Sequence, residues 1–173
     1  MALGGIKDGQ TVTADSQPVG KVIHGVSVRM ATVHPDERGE LCEIFNPAWG
    51  FEANDPLVYA YMSSVRPGRV KGWIYHEKQW DRVFSAQGFT KWVLYDPREE
   101  SPTRGMVQVL HLTERNRALF CIPPLVVHAV QNIGTTDAMF VNLPTRAYRH
   151  DDPDKFRVPP DQVPYSFESV LGW

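Results

Sequence analysis

The chain has 173 residues, 42% of them hydrophobic and 22% charged, with a formal net charge of −2. That length suits one domain whose core needs no covalent or metal staple. The charge balance excludes an electrostatic case for a nucleic-acid partner, and no window approaches the ~20 apolar residues of a membrane span.

Residues 1–20 are polar, without a strong period, and read as an N-terminal arm holding at most one strand. They contain no apolar stretch of signal-peptide length, so the expected address is the cytoplasm. From Lys21 the chain becomes a series of short apolar or alternating runs: Val26 to Met30, Leu57 to Met62, Val70 to His76, Thr90 to Tyr95, Met106 to Leu112, Ala118 to Ile122, Val126 to Val130 and Ala138 to Leu143. Turn chemistry separates them at Arg66-Pro67-Gly68, Gln87-Gly88, Asp96-Pro97, Ser101-Pro102 and Asn132-Ile133-Gly134. Many short strands at even spacing indicate an all-β sandwich or jelly roll. A short peripheral helix is expected near Asp152 to Phe156, capped by Asp151 or Asp152 with Pro153 in its first turn. The proline- and aromatic-rich tail, about 151–173, reads as an extended segment laid over the barrel of about 21–150. Cys42 and Cys121 sit in apolar runs and are expected as free thiols.

Three segments hold candidate chemistry. In Val70-Lys71-Gly72-Trp73-Ile74-Tyr75-His76, strand alternation puts Gly72, Ile74 and His76 on one face and Lys71, Trp73 and Tyr75 on the other. A lone strand histidine such as His76 is more often a packed or surface residue than a catalytic one. In Ile122 to Asn132, two prolines stop one strand and His128 sits between Val127 and Ala129, where its ring nitrogens need partners. The plain alternative is a core histidine bonded to a carbonyl. In His34 to Phe45, Arg38 lies at a turn before a strand carrying Glu40 and Glu43. Arginine suits bidentate phosphate binding, and a solvated turn is the plainer reading.

Taken in order, Asp36-x-Arg38-Gly39-x-Leu41-x-Glu43, Val70-Lys71-Gly72, Asp96-Pro97-Arg98-x-x-Ser101-Pro102-Thr103-x-Gly105 and Ile122-Pro123 through His128 resemble the dTDP-4-dehydrorhamnose 3,5-epimerase family over residues 25–150. The resemblance implies a single cupin-type domain, a double-stranded β-helix or jelly-roll barrel. It also implies a homodimer that exchanges strands, no metal and no cofactor. The implied ligand is a nucleotide-linked 4-keto-6-deoxy sugar in the barrel mouth. In that chemistry a histidine takes the proton beside the ketone, a lysine stabilises the enolate and a tyrosine returns a proton from the other face.

The chain departs from the pattern at those three positions. The histidine falls on Ile74, the lysine on Asp81 with Arg82 beside it, and the tyrosine on Asn142; His128 is kept. His76 lies on the same face as Ile74, about 6.5–7 Å further along, and could act as the base for a substrate bound deeper or shifted, in a single-centre epimerisation or a ketoisomerisation. Lys71 or Arg82 would supply the cation, and Asn142 a hydrogen bond to the ketone oxygen. Arg38 and Glu43 match the family's nucleotide-sugar contacts, while its Gln-x-Asn-x-Ser segment becomes Tyr59-x-Tyr61-x-Ser63. Trp73, Tyr59, Tyr61 and Tyr148 are candidates to stack a base or sugar. Arg69, with Arg66, flanks a turn suited to a diphosphate. Two other readings stay open: a binding paralogue without turnover, and a metal-dependent cupin enzyme with His76, Asp81 and His128 as three ligands.

Overall fold

The computed structural model describes residues 7, 9–15, 19–53 and 55–167. Half of the expected arm, residues 1–6, 8 and 16–18, and the last residues of the tail, 168–173, lie outside them. Twelve strands are formed among the described residues: β1 (Ser27–Met30), β2 (Val33–Asp36), β3 (Gly39–Cys42), β4 (Tyr61–Val65), β5 (Val70–Tyr75), β6 (Asp81–Gln87), β7 (Thr90–Tyr95), β8 (Val107–Leu112), β9 (Ala118–Ile122), β10 (Val127–Asn132), β11 (Ala138–Asn142) and β12 (Phe156–Arg157). The strand expected from Leu57 starts only at Tyr61 and runs on to Val65.

The strands form two five-stranded antiparallel sheets, ordered β1-β9-β6-β11-β4 and β12-β5-β10-β7-β8, and a separate β2-β3 hairpin. The all-β expectation holds, but the closed jelly-roll barrel does not. Neither sheet closes: β1 and β4 end one, β12 and β8 the other. Strand alternation specifies a half-buried pleated surface and says nothing of whether edges pair. Here the chain changes sheets between β4 and β5 through Pro67-Gly68, and between β9 and β10 through Pro123-Pro124. A proline has no N–H with which to extend a ladder across such a corner.

The inner faces of both sheets share one core. Trp92 stands edge-on to Phe120 and Phe140, with ring centroids 5.0 and 4.9 Å away, among Val65, Val83, Leu94 and Val130. The outer faces are covered too. Residues from Phe45 to Phe51 cover Phe84 and Leu119, and the tail lays Val163, Tyr165 and Phe167 on Trp73. The helix expected at Asp152 to Phe156 is absent. The Asp154 carboxylate instead accepts the backbone N–H groups of Glu77, Lys78 and Gln79, each at 2.9 Å. The chain then enters β12, which pairs with β5. The short helical turns are 3₁₀ turns at Pro47–Trp49 and Pro160–Gln162. Cys42 and Cys121 are free thiols, and burial pushes Cys121 up to about 11. No helix among the described residues is long and apolar enough to cross a membrane.

The most distinctive sequence motif, Asp96 to Gly105, is a structural knot. The buried Asp96 carboxylate accepts from Arg98 Nε at 2.8 Å, Ser101 Oγ at 2.5 Å and Thr103 Oγ1 at 2.7 Å. The same turn holds the incoming chain, since Arg98 Nη2 donates to the His24 carbonyl at 2.6 Å. Burial works against the Asp96 charge, but these donors hold its pKa well below the usual carboxylate range. A depressed carboxyl contributes stability above its unfolded pKa of about 3.9, and that contribution fades as pH falls through the folded value. Asp96→Asn is therefore expected to destabilise by about 2–3 kcal/mol at pH 7. The gap to the wild type should narrow below about pH 4. Chemical denaturation at pH 7 and pH 3 measures both; a gap independent of pH would contradict the assignment.

Candidate active site

Asp81 opens β6 with its side chain toward the other sheet, and it is fully buried. Its Oδ2 lies 3.1 Å from His76 Nε2 and 3.3 Å from His128 Nε2. Its Oδ1 accepts from Gln79 Nε2 at 2.8 Å and Asn142 Nδ2 at 2.9 Å. So the β5–β6 connection, β6, β10 and β11 together place two histidines, a carboxylate and two amides around one point. The far nitrogens of both rings are fixed by the backbone. His76 Nδ1 bonds the Asp154 carbonyl and His128 Nδ1 bonds the Val126 carbonyl at 3.1 Å. A carbonyl only accepts, so each Nδ1 carries the hydrogen and each Nε2 is turned to Asp81.

Asp81 ionises easily although burial opposes it, because the two facing histidines hold its carboxyl far below the usual range. For His76 burial lowers the pKa, but the Asp81 carboxylate and the Asp154 carbonyl overcome it and raise the value on balance. Asn142 also donates to Tyr61 Oη at 2.9 Å. The Tyr61 hydroxyl is pushed up to about 12, by burial first and by the Asp81 charge second.

This cluster closes the inner end of a pocket of about 380 Å³ between the sheets, with Asp81, His128, Tyr61, Asn142, Ile74 and Lys71 in its wall. Lys71 belongs there against the strand alternation expected of it. Along β5 and β10, Ile74 pairs with His128 but Lys71 with Val130, so three steps on β5 face two on β10. The extra residue is a bulge, and it turns Lys71 to the same side as Ile74. Lys71 Nζ then reaches Ser63 Oγ at 2.9 Å. His76, Tyr59 and Tyr148 line an adjoining cleft that shares Tyr61 and Lys155 with the pocket.

Other expected site residues lie elsewhere. Arg82 follows Asp81 by one residue and so faces the opposite side of β6. Its guanidinium donates to the carbonyls of Leu143 at 2.6 Å, Ala53 at 3.2 Å, Asp55 at 2.6 Å and Pro144 at 3.4 Å, which leaves it no role beside a ketone. Trp73 is buried on the outer face of its sheet against Tyr165 and Phe167. Arg38 is 83% exposed at the hairpin tip, paired to Asp36 at 2.6 Å. Glu43 lines a shallow dent with Arg29, Trp49, Phe84 and Leu119, on the far side of β6 and β9 from the pocket. Arg69 sits exposed in the β4–β5 turn, its carbonyl accepting from Asn132 N at 3.0 Å. Gln79, Asp154, Lys155 and Arg157 were not singled out from sequence. Gln79 had a usable signal, a polar side chain two residues from Asp81 on a strand approach. The other three join the site only because the tail folds back along β5.

Known proteins share this arrangement of sheets. Residues 21–165 match the model of the dTDP-4-dehydrorhamnose 3,5-epimerase family. A probable low-salt glycan biosynthesis epimerase, Agl13 of Haloferax volcanii, is 36% identical over 140 residues, 80% of this chain and 89% of that one. The spore coat polysaccharide biosynthesis protein SpsL of Bacillus subtilis is 34% identical over 146 residues, 84% and 95% of the two chains. The crystal structure of a dTDP sugar isomerase from Desulfovibrio desulfuricans G20 superposes with a TM-score of 0.75 at 27% identity, covering 85% of this chain and 94% of that one. Fold, matched motifs and the pocket between the sheets agree: the chain belongs to the dTDP-4-dehydrorhamnose 3,5-epimerase family.

Proposed function

We propose that the protein is an epimerase or isomerase of a nucleotide-linked 4-keto-6-deoxy sugar, moving a proton on carbon beside the ketone. Family membership supports the class of reaction. The observation that carries the mechanism is that each of the three positions aligned with the family's catalytic residues has a neighbour able to supply equivalent chemistry to the pocket or the cleft adjoining it. For Ile74 there are His76 and His128, joined through Asp81. For the lysine position there is Lys71, brought round by the bulge. For Asn142 there is Tyr61, whose hydroxyl Asn142 itself holds.

In this reading the histidine pair takes the proton, and Lys71 faces the enolate oxygen as the positive charge that makes such a proton acidic enough to remove. Tyr61 returns a proton. Its hydroxyl accepts from Asn142, which leaves its own O–H free to donate, and a pKa near 12 keeps that proton in place at neutral pH. Lys155 and Arg157 at the pocket wall suit a diphosphate, and Tyr59 and Tyr148 suit a ring. Arg38, exposed at the hairpin tip, and Glu43, on the far side of β6 and β9, do not line the pocket of their own chain. We assign them to the nucleotide sugar through a homodimer, each protomer's hairpin serving its partner.

The test is solvent deuterium uptake. Incubated in D2O with dTDP-4-keto-6-deoxyglucose, the protein is expected to add about one or two mass units to the sugar. The His76→Ala variant should lose that uptake while still binding dTDP. No uptake by a wild-type sample that binds dTDP overturns the catalytic reading and leaves a nucleotide-sugar-binding protein.

A further inference from the structure

The proton-transfer scheme leaves one buried charge without a task. Arg82 is fully buried, and its four hydrogen-bond partners among the described residues are backbone carbonyls, none a carboxylate. Burying a cation is costly, and well-packed apolar side chains of similar volume often hold a fold as well or better, so stability alone does not account for an arginine here. What the guanidinium touches does. Nε and Nη2 donate to Leu143 and Pro144, the two residues that follow β11. Nη1 donates to Ala53 and Asp55, on the chain that leads into β4. The Phe45 ring lies under the same group, its centre 4.7 Å from Cζ. The Arg82 carbonyl adds to the grip by accepting from Leu143 N at 2.9 Å.

We infer that Arg82 is a positioning residue: it clamps the segments on either side of the Tyr61–Asn142 pair and so fixes the Tyr61 hydroxyl, with Tyr59 and Tyr148 beside it. Tyr61 and Asn142 are the last register pair of the β4–β11 ladder, and β4 is an edge strand of its sheet. The end of such a ladder is where backbone pairing frays first. There Tyr61 Oη accepts from Asn142 at 2.9 Å. Leu143 directly follows Asn142, and Asp55 lies upstream of Tyr59 and Tyr61. Beyond Pro144 the clamped chain reaches Tyr148, which lines the cleft together with Pro144, Tyr59 and Tyr61. Arginine suits this task because its planar fork aims donors in several directions at once, whereas the ammonium of a lysine is a single point. Asp81, one residue earlier, faces the histidines from the opposite side of β6. The start of one strand thus orients the proton-taking and the proton-returning groups together.

The catalytic consequence rests on the isomerase reading; the clamp itself does not. Arg82→Lys keeps a charge and loses the fork. In D2O with dTDP-4-keto-6-deoxyglucose it is expected to form the inverted sugar about 10–100-fold more slowly than wild type, with deuterium uptake within about threefold, because a displacement of about 1 Å is enough to misplace a donor. Asp96→Asn, which weakens the fold at another turn, should keep the wild-type ratio of inversion to uptake.

The second measurement needs no substrate. In spectra of protein labelled with ¹³C at tyrosine Cζ, Arg82→Lys should move the resonances of Tyr59, Tyr61 and Tyr148. The other three of the six tyrosines, Tyr75, Tyr95 and Tyr165, should stay in place, since they pack with Trp73 on the outer face of the other sheet. Phe45→Leu removes the ring under the guanidinium and leaves its hydrogen bonds; it should give the same pattern on a smaller scale and serves if Arg82→Lys does not fold. Inversion and uptake falling together, a like change of ratio in Asp96→Asn, or tyrosine resonances that all move or all stay would each overturn the clamp. Absence of uptake by the wild type fails the isomerase reading alone, and the resonance pattern then decides the clamp.

Discussion

Tyr61→Phe is expected to cut formation of the inverted sugar by about 10²–10⁴-fold, the usual worth of a positioned acid. Deuterium uptake by the same sample should stay within about tenfold of wild type, because the histidine pair still makes the enolate and can return a solvent-exchanged deuteron to the face from which it took the proton. The split follows from geometry. The hydroxyl hangs on β4 and is held by Asn142 from β11, its register partner, whereas the histidines belong to the facing sheet. Proton removal and proton return are thus assigned to opposite walls of one pocket. The variant keeps the aromatic ring and its contact with Tyr59, 5.8 Å away, so dTDP binding should be unchanged. The measurement is product ratio and sugar mass on one time course. Equal loss of uptake and inversion would show that Tyr61 supports the site as a whole; no loss of either would remove it from the mechanism.

Gly72→Ala is expected to destabilise the protein by about 3–4 kcal/mol, from overpacking together with the backbone cost of a positive φ. Gly72 has φ +143°, and a Cβ there would lie 2.3 Å from Ala129 Cβ and 2.7 Å from its Cα. The atoms struck belong to the middle of β10, paired on both sides, and cannot move aside. For a domain of this size the loss corresponds to a fall of roughly 10 °C in melting temperature. Gly68→Ala separates the causes: φ is +71° there and nothing lies within 4 Å, so only the backbone cost of about 1 kcal/mol remains. Similar losses at the two positions would mean that the contact with Ala129 is not what requires glycine. The bulge at Gly72 also aims Lys71, so a folded Gly72→Ala protein should lose deuterium uptake with its ligand still bound.

The sequence by itself determined most of the strands and the family; β2, β6 and β12 are not among the runs it marked. Hydrophobic alternation and turn residues placed eight of the runs on strands, because both signals are local. The ordered motifs carried the resemblance, and the strongest of them, Asp96 to Gly105, is a knot of short-range hydrogen bonds whose sequence is its structure. Ile74, Asp81, Asn142, His76 and Lys71 were legible as residue types beside the matched motifs. Only the tertiary structure decided where their side chains point and what they touch. One extra residue in β5 reversed the facing of Lys71, and a bulge leaves no sign in composition. Arg82 and Asp81 are adjacent in sequence and opposite in space, one tied to four carbonyls and the other shared by two histidines. The closed barrel failed for the same reason as the helix at Asp152. Edge pairing and the docking of the tail are contacts between distant segments, and their free energy depends on which surfaces meet once both sheets exist, not on the preferences of either segment alone.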